Sequence, residues 1–108
     1  MWIFLNNAFV SIVDKGDPTG KTLLVRSRRR VDLARAFPAA DIVAGTGTDY
    51  RYRARIDRAE VAARFAQAVQ DIRYGNFKSG VKESDRHDTY MEVWDAMYRF
   101  QKAEKPGA

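Results

Sequence analysis

Residues 16–28 read GDPTGKTLLVRSR, and the fold depends on whether their first half is a phosphate-binding loop or a turn. A P-loop places four residues between its first glycine and Gly-Lys-Ser/Thr, and it opens a helix whose positive end faces the phosphate. Here only three residues, Asp17, Pro18 and Thr19, separate Gly16 from Gly20. Pro18 also removes one of the amides that such a loop turns inward. The next segment, TLLVRSR, is a run of strand formers, and nowhere else does an apolar strand end in a magnesium-binding aspartate. Asp-Pro-Thr-Gly is turn chemistry between antiparallel strands. No nucleotide is therefore expected at Gly16–Thr22.

The flanking segments extend this reading. WIFL and AFVSIV alternate like strands, turned or bent at Asn6-Asn7. After TLLVRSR, VDLARAF gives one or two helical turns before Pro38, with Asp32 as a cap. DIVA and YRYRARI come next as strands, joined by GTGTD as a hairpin loop of four or five residues. A long helix then starts in DRAE, where Asp57 and Glu60 form a capping box. Val61, Phe65, Ala68, Val69 and Ile72 make its inward face. YGNFKSG interrupts, and a last helix runs from Ser84 or Asp88 to Lys102. The expected fold is α+β, an antiparallel sheet of about four strands with helices packed on it, ordered ββαββαα. Residues 1–103 are expected to form one domain, with 104–108 as a flexible tail.

The 108 residues contain no cysteine, which excludes disulfides, thiol catalysis and cysteine-ligated metals. No apolar stretch approaches the ~20 residues of a membrane span. The leading residues lack a basic region and a small-residue cleavage site. These features predict a soluble cytoplasmic protein with no cofactor.

The net charge is +5 and uneven. Residues 1–58 carry 11 basic and 6 acidic groups, whereas residues 83–108 carry 4 and 6. In DYRYRARI, Tyr50, Tyr52, Ala54 and Ile56 fall on one strand face and Arg51, Arg53 and Arg55 on the other. In TLLVRSR, Leu23 and Val25 face the core and Leu24, Arg26 and Arg28 lie opposite. If these strands share a sheet, five arginines share one side, with Arg29, Arg30 and Arg58 at its margins. Guanidinium groups grip phosphate or carboxylate bidentately. An aromatic side chain on such a wet face can stack on bases, and Phe9 is the candidate. The competing reading pairs these arginines with Asp14, Asp17, Asp49 and acidic helix residues.

His87 is the single histidine, flanked by Ser84, Asp85 and Asp88. Asp88 points about 100° away from His87 around a helix, no glycine-rich elbow exposes Ser84, and no second histidine supplies metal-ligand spacing. The cluster reads as a helix start whose acids complement the positive end. No catalytic or metal-binding constellation emerges, and a non-enzymatic protein is expected. The aromatic C-terminal region offers a second surface: Phe77, Lys78, His87, Tyr90, Trp94 and Tyr98. Core is the usual place for such aromatics, but they exceed what one small sheet can cover, so a protein partner or homodimer contact is expected from the remainder.

The chain resembles a group of small bacterial and phage proteins of about 100 residues whose function is not established. The resemblance lies in MWIFLNNAFVSIV, GTDYRYRA, and YGNFK with RHDTYMEVWDAMY after it, and spans nearly the full length. It implies a compact, self-contained protein and transfers no catalytic residue. Small proteins of mobile elements include inhibitors of host defence such as anti-CRISPR proteins, an analogy of size and setting. The leading expectation is a binding protein whose arginine-rich strands engage nucleic acid or a nucleoprotein complex. The alternative is a protein-interaction module or inhibitor acting through the aromatic helix.

Overall fold

A computed structural model describes residues 1–45 and 47–107. The chain forms two compact units, Met1–Arg73 and Tyr74–Ala108. The first is built on five strands: β1 (Trp2–Leu5), β2 (Ala8–Val13), β3 (Thr22–Ser27), β4 (Val43–Ala44) and β5 (Tyr52–Asp57). They pair antiparallel throughout, in the order β1-β2-β3-β5-β4. The α+β class is as expected, with five strands instead of about four. Asn6-Asn7 makes a full reversal that pairs Leu5 with Ala8, so WIFL and AFVSIV are separate strands.

Two helices, α1 (Arg30–Ala36) and α2 (Arg58–Gln70), cover one face of this sheet. Val10, Ile12, Val25, Ala54 and Ile56 point toward them and meet Leu33, Ala36, Phe37 and Val61. Val10, Val25, Leu33 and Ala36 are wholly buried. Removing such side chains from water supplies roughly 1.5–3 kcal/mol for each larger aliphatic.

Asp32 does not cap α1. It lies inside the first turn, buried, and its Oδ2 accepts the Phe9 amide at 2.9 Å. The β2–β3 ladder covers only Ser11–Val13 of β2, so that amide has no acceptor in β3. Buried amides must be paired; the Asp32 carboxylate fixes α1 to β2. Asp57 occupies the N-cap position of α2 with no side-chain cap bond, so the capping box is not formed. Val61 and Phe65 reach the core, but Val69 and Ile72 are exposed, because only the early turns of α2 lie against the sheet. Seven residues, 45–51, separate β4 from β5, closed by the Gly45 amide donating to the Arg51 carbonyl. GTGTD is thus part of a longer loop than expected, and its Thr46 lies outside the described residues.

GDPTGKT is the connection between β2 and β3, and Thr22 opens a strand. Asp17 is its hub: Oδ1 accepts from the Thr19 amide and hydroxyl, and Oδ2 from the Thr22 amide and hydroxyl. Gly16 and Gly20 take positive φ, +87° and +71°, where a side chain would be strained.

In the second unit a short 3-10 turn, Lys78–Gly80, leads to α3 (Ser84–Lys102). Among the described residues no helix is long and apolar enough to cross a membrane.

Candidate nucleic-acid interface

Paired residues of an antiparallel sheet point to the same side. The register therefore sorts every strand residue. Trp2 pairs with Ser11, Ser11 with Arg26, Arg26 with Arg53, and Arg53 with Val43. This is one row across the face opposite α1 and α2. A second row links Val13, Leu24 and Arg55, and Phe4 pairs with Phe9 on the same side. The face thus grades from aromatic on β1 and β2 to basic on β3 and β5.

Arg26 and Arg53 are direct cross-strand neighbours. Like charges placed so repel unless something offsets them. Among the described residues neither has a carboxylate partner, and nor has Arg55. Arg26 donates to the Ser11 hydroxyl at 2.9 Å and lies over the Tyr50 ring, 4.5 Å from its centroid. The Nε atoms of Arg26 and Arg53 are buried without a hydrogen-bond partner. Arg55 donates to the Thr22 hydroxyl and the Lys15 carbonyl. These two neutral acceptors orient the guanidinium and leave its charge uncompensated.

The other arginines divide differently. Arg28 is paired with Asp49 at 2.9 Å and sits 4.0 Å from the Tyr50 centroid. The Asp49 carboxylate raises its pKa further, so it stays cationic. Arg58 pairs with Asp14 and donates to the Gly20 carbonyl, strapping the β2–β3 turn to the start of α2. Arg51 lies 5.7 Å from the Tyr52 ring centroid. Arg29 and Arg30 flank the start of α1 and are exposed. The expected pairing with Asp14 and Asp49 therefore takes up Arg58 and Arg28, while Asp17 serves the turn.

Tyr50 departs from the expected alternation. It precedes β5 and its ring lies under Arg26 and Arg28, on the arginine side, whereas Tyr52 packs against the core. Buried Tyr50 props both guanidinium groups through cation–π contact. Phe9 faces the arginine side. Sequence reasoning missed Trp2 and Phe4 beside it. The signal was present: a two-residue reversal at Asn6-Asn7 forces Leu5 opposite Ala8, and alternation then puts Phe4 and Trp2 with Phe9 and Ser11.

Within the second unit, Phe77 stacks on Tyr90 with centroids 6.0 Å apart, and Lys78 Nζ lies 5.3 Å from the Trp94 centroid. Tyr98 meets Trp94 edge to face. Tyr90 is buried, and its hydroxyl accepts from Arg86, a buried arginine also paired with Glu83. Sequence reasoning did not single out Arg86. His87 is half-exposed, and its Nδ1 comes within 3.7 Å of Asp88 despite their angular separation. Trp94, Met97, Tyr98 and Phe100 remain exposed on α3.

No family model matches the chain, and neither a curated protein nor a solved structure matches it.

Proposed function

We propose that the sheet unit is a binding module whose arginine face engages the phosphates of nucleic acid, alone or within a nucleoprotein complex. The observation that supports this reading is the side-by-side placement of Arg26, Arg53 and Arg55, which have no carboxylate partner among the described residues. A cluster of uncompensated guanidinium groups on a surface attracts anions and accelerates their encounter. Planar, bidentate donors fit phosphate in particular. The reading assigns no bond-breaking step to the face.

The test is fluorescence anisotropy with short single-stranded DNA, RNA and duplex DNA at two salt concentrations. Three phosphate contacts predict a slope of log affinity against log salt of about −2 to −3. The Arg26/Arg53/Arg55→Ala variant, its fold checked by circular dichroism, flattens that slope. Failure of every nucleic acid to bind at moderate salt would overturn the reading.

A second reading rests on the exposed Trp94, Met97, Tyr98 and Phe100 of α3, which suit a protein contact or homodimer. It requires a stoichiometric complex or dimer that persists in high salt, seen by light scattering after size exclusion.

A further inference from the structure

We infer that the sheet face takes a single strand, whose bases stack on Trp2, Phe4 and Phe9 while its phosphates lie over Arg26, Arg53 and Arg55; this rests on the phosphate-binding reading above. The row Trp2–Ser11–Arg26–Arg53 joins the two kinds of group. Two interstrand steps, about 10 Å, separate the backbone of Trp2 from that of Arg26. Between them stands only Ser11, small and buried, its hydroxyl tied to Arg26. No bulky side chain in that row separates stacking groups from cations.

The aromatic end is a built cluster. Phe4 and Phe9 lie 4.6 Å apart at 31°, and Trp2 meets Phe9 edge-on at 6.2 Å. Yet Trp2 is 69% exposed. An indole contributing to a core would be covered; this one leaves most of its surface to solvent on the same face as the uncompensated cations.

Together these features select the ligand. A purely acidic peptide would use the arginines and leave the aromatics idle. Duplex DNA keeps its bases stacked inside, beyond reach of a flat face. A single strand offers both chemistries at once: a charged backbone for guanidinium groups and unpaired π-faces for aromatic rings. Stacking tolerates any base, so recognition is expected to be broad in sequence.

The experiment uses the Trp94→Phe protein, in which Trp2 is the sole indole. Its emission is followed while oligo-dT, oligo-rU, an abasic strand of equal length, a duplex and poly-glutamate are titrated in. Oligo-dT or oligo-rU should quench Trp2 and bind more tightly than the abasic strand. Trp2→Ala, whose fold is checked by circular dichroism, should lower single-strand affinity roughly 5- to 150-fold with the salt slope unchanged. If the abasic strand binds as tightly as oligo-dT and the indole does not respond, the stacking inference falls while the phosphate reading stands. Equal affinity for duplex also overturns it. Poly-glutamate binding as tightly as the strand reassigns the face to an acidic protein. If no single strand binds, this inference falls; if the duplex fails to bind as well, the phosphate reading falls with it.

Discussion

The two units dispose of their charge and their apolar residues in opposite ways. Residues 1–73 carry 13 basic and 8 acidic groups and hold the whole net charge of +5; residues 74–108 carry six of each. The sheet unit buries Val10, Val25, Leu33 and Ala36 completely and leaves cations outside. On α3, by contrast, Trp94, Met97 and Phe100 are each at least half exposed. The difference is one of register. Ladder pairing fixes which side each residue faces, so one side becomes core and the other becomes a chemical surface. On α3 the division runs along the helix instead: Tyr90 in its early turns is buried, and Trp94, Met97 and Phe100 further on are not.

The largest effect expected from this contrast is in stability. Leu33→Ala, at a wholly buried position, should cost about 3 kcal/mol, within the usual 2–5 for such truncations. Phe100→Ala, on a side chain 74% exposed, should change stability by no more than about 0.5 kcal/mol. Urea unfolding of both variants checks the pair. A large loss for Phe100→Ala would show that the late turns of α3 are covered and would break the comparison.

Next comes the carboxylate that joins helix to sheet. Asp32→Ala strands the Phe9 amide and should cost about 2 kcal/mol, since bonds to charged acceptors contribute more than neutral ones. Amide hydrogen exchange sharpens the test: Phe9 should lose protection more than the core amides of β3. A uniform loss across the sheet would mean that Asp32 acts through something other than this bond.

Legibility in the sequence tracks the range of the interactions. Alternation within TLLVRSR and YRYRARI is local, and it suffices to place Arg26 away from the core face of its strand and Arg53 and Arg55 away from that of theirs. Which of them stand opposite one another is not local. Arg26 meets Arg53 across 27 residues of chain, and nothing in either segment sets that register. Asp32 misleads for the same reason. An aspartate at a helix start reads as a cap, but here its acceptor capacity goes to a strand amide 23 positions away. Tyr50 fits the strand pattern as a string of letters, yet it lies two residues before the strand, where two guanidinium groups hold its ring. The exposure of Trp94 and Tyr98 is beyond reach, because helical periodicity shows a face without showing what covers it.

The smallest effect belongs to the turn with the outline of a phosphate loop. Hydrogen bonds from the Thr22 and Thr19 hydroxyls, then from their amides, hold the Asp17 carboxyl well below the usual carboxylate range. A carboxyl depressed in the folded state stabilises fully above the unfolded value, about 4. As pH falls below that, the unfolded chain takes up its proton first and the contribution is lost progressively. Asp17→Asn replaces one acceptor with a donor facing Thr22, and it removes the titration. Thermal unfolding of both proteins between pH 6 and pH 2.5 should therefore show a gap in Tm that is widest at pH 6 and narrows as acid is added below about pH 4. Other carboxylates titrate in both proteins and cancel in the difference. A gap constant across that range would mean that the turn is held by its backbone alone, with the Asp17 charge contributing nothing.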